Sequence, residues 1–209
     1  VQIVVKAPKH EIYIGTTALY NNGKITFQPG TDYSLYDYPH NAINIGALLQ
    51  WRYRRIGLQF GVNYISLESS RDSIRMGYFS ELGISDIDIR LNYLEFPIVL
   101  SYEFNVAGVF LAPEAGVYVT YLHDPEILER SHSANRFPNI NYFDGRKKGF
   151  GFTAGVQLRK QLGKHLGIIL RGRYVSLENE FNVYEPAFYY ISDFFNKKIE
   201  LGFGLVWKI

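Results

Sequence analysis

The chain of 209 residues has no cysteine and a single methionine. Without thiols there can be no disulfide framework, no thiolate zinc site and no cysteine nucleophile. Net charge is also scarce: 22 Lys and Arg stand against 20 Asp and Glu, leaving +2. That balance lacks the basic footprint of a nucleic-acid binder, so no nucleic acid is expected as a partner. No apolar run approaches the ~18 residues of a transmembrane helix. The opening VQIVVKAPKH lacks the basic start and long apolar stretch of a secretory leader. An exported form is therefore expected to carry this numbering after removal of its leader.

Catalytic motifs are equally sparse. The five histidines, His10, His40, His123, His132 and His165, form no HExxH pair. His123, Asp124, Glu126 and His132 read as a solvated polar loop rather than a cation site, and Asp86 and Asp88 lack the glycine and terminal glutamate of a calcium loop. There is no GxSxG elbow. The expectation is no catalytic residue, no metal site and no cofactor.

What the sequence does have is aromatic residues, 17 Tyr, 15 Phe and 2 Trp, together with 19 Gly, a composition that suits strands and turns. Its dominant signal is alternation of period two. In Ile56-Gly57-Leu58-Gln59-Phe60-Gly61-Val62-Asn63-Tyr64 every even position is large and apolar, and every odd one is glycine or an amide. Successive strand side chains point to opposite faces, so such a strand has one greasy face and one small or polar face. The pattern recurs and predicts a single domain over 1–209 with eight strands at 10–20, 41–53, 55–66, 90–104, 109–121, 148–161, 165–177 and 197–209. Each approaches or exceeds the ~9–11 residues that a tilted strand needs to cross a bilayer.

The predicted connections alternate in length. Those after the second, fourth and sixth strands are very short, at Arg54, 105–108 and 162–164. The others run to roughly twenty residues, far beyond the usual hairpin. Short turns on one side and long loops on the other are expected of an antiparallel transmembrane β-barrel with periplasmic turns, extracellular loops and both termini in the periplasm.

A soluble barrel of the lipocalin kind has the same period but points its greasy face inward. The polar face separates the two. Here it combines glycines with scattered charges of both signs: Glu11, Glu95, Glu103, Glu114 and Glu200 against Arg52, Arg159, Arg171, Arg173, Lys198 and Lys208. Balanced charges and small residues suit a crowded interior, because an unpaired buried charge is very costly. Glu95, Glu103, Glu114, Arg171 and Arg173 are the expected lumen network. The outward aromatics fall at two levels, Trp51, Tyr53, Tyr102, Phe104 and Trp207 at the short turns and Tyr20, Tyr64, Tyr121, Phe150 and Tyr174 at the long loops. Two such girdles mark the two faces of a membrane.

The long loops are themselves aromatic. Tyr36 and Tyr38 in the first, and Tyr184, Phe188, Tyr189 and Tyr190 in the fourth, are the candidate interaction residues. Disordered loops are poor in aromatics, whereas binding surfaces are rich in tyrosine.

The stretch Tyr93-Leu94-Glu95-Phe96-Pro97-Ile98-Val99-Leu100-Ser101-Tyr102 resembles the fourth strand of the PorT-like outer-membrane β-barrel proteins of Bacteroidota. Phe110-Leu111-Ala112-Pro113-Glu114-Ala115-Gly116 resembles that family's next strand, with Pro113 where glycine is more usual. Leu201-Gly202-Phe203-Gly204-Leu205-Val206-Trp207 resembles the terminal strand read by the barrel-insertion machinery, with two further residues after Trp207. The resemblance implies a porin-like membrane barrel, in a family some of whose members serve type IX secretion or gliding, and it carries over no catalytic residue.

Together these readings lead to a non-enzymatic outer-membrane barrel that serves as a structural or interaction subunit. Its expected partners are outer-membrane lipids, lipopolysaccharide and other envelope proteins. A narrow porin or small-solute channel is the first alternative, and a lipid-modifying enzyme the second.

Overall fold

The structure, a computed structural model, describes residues 10–27, 36–75, 84–131, 148–179 and 194–209. Its strands are β1 (His10–Phe27), β2 (Tyr36–Tyr53), β3 (Ile56–Arg75), β4 (Ile84–Tyr102), β5 (Phe104–Val106), β6 (Val109–Ser131), β7 (Lys148–Gln161), β8 (Leu166–Asn179) and β9 (Phe194–Lys208). Each pairs antiparallel with its neighbour, and β9 returns to β1 to close the sheet. β5 resumes the line of β4 after a break at Glu103, so nine segments make eight staves. This is the eight-stranded antiparallel barrel expected from the alternation.

The pairing register sets the barrel's width. Following partners around the sheet from Ile12 leads through Trp51, Leu58, Leu100, Ala115, Ala154, Tyr174 and Ile199 to Asn22. The circuit returns ten residues further along β1, which requires strands tilted by roughly 40°. At eight strands the interior is narrow enough to be filled by side chains.

Several inward positions are glycine because nothing larger fits. Allowing for the tilt, Gly46, Gly61, Gly116, Gly155 and Gly202 fall at about one height on five different staves. A Cβ on Gly202 would lie 2.1 Å from the Ala18 carbonyl oxygen, and one on Gly155 would lie 2.8 Å from both Cα and Cγ of Arg173. The neighbouring strand's backbone already occupies that space, so the staves bend tightly here.

The short turns are at Arg54–Arg55, Ala107–Gly108 and 162–165. Arg54, Ala107 and Gly108 all have positive φ, the twist that lets a two-residue hairpin follow its strands.

Outward-facing large apolar side chains cover the wall between the two aromatic levels, with Ile45, Leu100, Phe152, Leu170 and Phe203 all more than half exposed. On β3, Ile56 and Tyr64 stand eight residues apart at the two edges of this band. At ~3.3 Å per residue and a tilt near 40° the band is roughly 20 Å tall, close to the apolar belt of a membrane barrel.

Above the long-loop girdle the strands continue further than the sequence pattern indicates, and the wall inverts. Outward positions there are Asn22, Asn41, Ser66, Glu68, Arg90, Lys148 and Lys197, whereas Ile65, Leu67, Leu91, Leu122, Val175 and Leu177 are buried inside. Tyr36 and Tyr38, expected in a loop, instead stand in β2 opposite Phe27 and Ile25, because the β1–β2 ladder runs on past the membrane edge. The other four candidate loop aromatics, Tyr184, Phe188, Tyr189 and Tyr190, lie outside the described residues.

Phe203→Arg, at mid-band, should cost about 2–4 kcal/mol in reversible urea unfolding from lipid vesicles. Ser66→Arg, above the girdle, should change the same midpoint little.

Candidate functional site

The eleven charged residues assigned to the polar face all point into the lumen, where they form three connected groups.

At the short-turn mouth, Arg52 bridges Glu11 at 2.6 Å and Glu103 at 2.5 Å. Glu103 also takes the Arg159 guanidinium at 3.0 Å, and Glu11 takes Lys208 at 2.5 Å and the Tyr13 hydroxyl at 2.8 Å. The break between β4 and β5 falls at Glu103, whose side chain is nearly fully buried among these arginines. Arg159 lies 4.6 Å from the ring centres of both Tyr13 and Phe110. Those π faces supply attraction to a guanidinium whose Nε has no hydrogen-bond acceptor.

At mid-height, Glu114 pairs with Arg173 and, at 3.2 Å, with Arg171. Arg171 donates to the side-chain oxygens of Gln59 and Gln157, which lie on different staves. One carboxylate thus holds two guanidiniums, and the amides spread the excess positive charge.

Toward the long loops, Lys198 sits between Glu95 at 2.5 Å and Glu200 at 3.0 Å, with all three side chains fully buried. Asn44 donates to Glu200 at 3.2 Å and shares a hydrogen bond with Asn21. Tyr118 joins this group to the middle one, donating to Glu200 at 3.0 Å and accepting from Arg173 at 2.9 Å. Tyr93, Asn196 and His40 continue the chain upward, Asn196 donating to Tyr93 at 2.9 Å and lying 3.0 Å from the His40 ring nitrogen.

The five expected network residues are therefore all buried, but in separate partnerships. Of the three acids considered, only Glu114 takes Arg171 and Arg173, while Glu103 and Glu95 belong to other bases. Sequence reasoning places Lys198, Glu200, Arg52 and Arg159 on the correct face without assigning them a role. It gives no inward role to Tyr13, Tyr93 or Tyr118, whose signal is an aromatic ring standing in the polar phase of its strand.

Toward the long loops Ile65, Leu67, Leu91, Leu122, Val175 and Leu177 are also buried, interleaved with the polar His40, Ser69 and Asn196. Among the described residues no three His, Cys, Asp or Glu side chains gather as a metal site. His123, Asp124 and Glu126, expected in a loop, lie in β6, and His132 lies outside the described residues.

No family model matches the chain, and no curated protein matches it. Solved structures do. The outer-membrane protein OprG of Pseudomonas aeruginosa superposes with a TM-score of 0.60 at 11% identity, covering 96% of this chain and 95% of that one. The outer-membrane protease OmpT of Escherichia coli gives 0.52 at 12% identity, covering 95% and 97%. The shared feature is the fold, that of an outer-membrane β-barrel.

Glu114→Leu should leave two buried guanidiniums without their carboxylate and cost about 3–5 kcal/mol in the same unfolding assay. Adding Arg171→Leu and Arg173→Met should restore most of that loss, since an apolar triad of similar volume leaves no orphaned charge.

Proposed function

We propose that this chain is a non-conducting, non-enzymatic barrel of a bacterial outer membrane, acting as a structural or interaction subunit of an envelope assembly. The observation that carries this reading is the filled bore. Five acids and six bases meet within it, and buried apolar side chains interleave with polar ones toward its long-loop end. A solute would have to break several buried ion pairs to pass, each costing about 3–5 kcal/mol when one partner is lost. The porin reading is correspondingly weak.

The short turns and both termini face the periplasm in this reading, and the strand extensions point away from the cell. The segment 180–193, which joins two of those strands, is rich in aromatics. That composition supports a binding role, with lipopolysaccharide and other envelope proteins as the surrounding partners. The sequence from Tyr93 to Tyr102 supports kinship with the PorT-like barrels. The protease among the structural neighbours shares a fold at 12% identity and lends no catalytic residues.

Wild-type protein in planar bilayers should pass no resolvable current, and affinity purification from native membranes in mild detergent should recover a defined envelope partner. Steady conductance, or monomer with no companion, would reverse the assignment.

A further inference from the structure

The ladder between β2 and β3 stops short. Its uppermost pair is Ile43 with Ser66, although β2 begins at Tyr36 and β3 runs on to Arg75. β2 stays paired with β1 as far as Tyr36 opposite Phe27, and β3 with β4 as far as Arg75 opposite Ile84. Above the long-loop girdle the barrel therefore has a seam between β2 and β3. Pro39 stands at this seam with no N–H to donate, and its carbonyl accepts the Ser69 hydroxyl at 2.6 Å.

His40 lies behind the seam, 3% exposed. Its Nε2 is 3.0 Å from Asn196 Oδ1 on β9, and Asn196 donates in turn to the Tyr93 hydroxyl on β4 at 2.9 Å. Its other ring nitrogen, Nδ1, is buried with no hydrogen-bond partner among the described residues. A neutral imidazole satisfies that arrangement in either tautomer, whereas a protonated one must donate from both nitrogens. Around the ring β3 presents Ser69, β4 presents Tyr93, and β9 presents Asn196 and the cation Lys198, which Glu95 and Glu200 hold. β1 presents Gly23, the register partner of both His40 and Lys198. Only a glycine thus separates the two bases in this layer. A proton on His40 would add a second buried cation beside Lys198 and leave one donor unpaired, a costly combination.

We propose that His40 is an acid-sensitive tie across the upper bore. Neutral, it holds the upper arm of β2 toward β9 and keeps the seam with β3 closed. Protonated, it leaves the bore and the seam opens. A histidine in water takes its proton near pH ~6.5. The open arm binds that proton and the closed arm excludes it. Closure therefore has its full strength above about pH 6.5 and weakens up to about tenfold per pH unit below it. The proposal is independent of whether the barrel joins a larger assembly.

The absence of native cysteine permits a direct test by thiol labelling of the full chain in lipid vesicles. Ala42→Cys reports from the inside of the β2 arm, where Ala42 is buried. Ser66→Cys, exposed on the outer wall, corrects for the pH dependence of the thiol and the reagent. The ratio of the two labelling rates should rise about tenfold between about pH 7.5 and about pH 5.5. With His40→Gln, whose amide can still bond to Asn196 but takes no proton, the ratio should be the same at both pH values, whatever its level. A ratio that stays constant with pH when His40 is present would overturn the proposal. An equal rise with His40→Gln would also overturn it, by assigning the acid response to another group.

Discussion

Closure at eight strands is the constraint on which the rest of the molecule depends. A circuit that returns ten residues along β1 fixes a bore narrow enough for side chains from facing staves to meet across it. Charges placed on the inner face must therefore be neutralised by one another. Glu114 holds two arginines, Lys198 sits between two glutamates, and Arg52 bridges Glu11 to Glu103. The glycines follow from the same geometry: long arginines need space opposite them, and the bending wall leaves no room for a Cβ at Gly155 or Gly202. An apolar filling could have served equally well for stability. What the polar filling does is distinguish the two faces of each strand, so that a one-residue slip in register would put charges into lipid.

The second organising feature is the reversal of polarity along each stave. In the bilayer the outer face is apolar and the inner face polar, and beyond the long-loop girdle the two exchange. Ile65 and Leu67 turn inward just where Ser66 and Glu68 turn to water. Leu122, Val175 and Leu177 do the same on their strands. Each half of the chain thus obeys the hydrophobic effect in its own solvent, and a single hydrogen-bonded sheet carries both. The exposed upper wall displays its tie points to water, with Arg90 and Glu68 paired at 2.7 Å and Tyr20 and Asn22 both donating to Asn41 at 2.8 Å.

That reversal also explains what can be read from the sequence and what cannot. Alternation makes the strands and the lipid-facing residues plain wherever one phase holds, as from Ile56 to Tyr64. At Ile65 the apolar residues pass from even to odd positions, which looks like the end of a strand but marks the edge of the membrane. Strand ends such as Phe27 and Arg75 escape the pattern for that reason, and Tyr36 and Tyr38 read as loop residues. The inward position of the charges is legible because position depends only on parity. Their partners are not, because Lys198 meets Glu95 through a tilt and offset that no local window contains. Arg171 and Arg173 can be placed in the lumen from parity alone, whereas their joint dependence on Glu114 requires the register of three staves.

The proposed role requires a bore that is filled and dry. Water-edited solid-state NMR of isotopically labelled wild type in lipid bilayers measures this directly, by timing the transfer of polarisation from mobile water to individual side chains. Glu95, Lys198 and Arg173 should build up as slowly as the lipid-facing Phe203, while Glu68 and Lys148 on the outer wall above the girdle build up fast. Lumen side chains that received polarisation as quickly as Glu68 would mean a water-filled bore, and would contradict a barrel sealed by its own ion pairs.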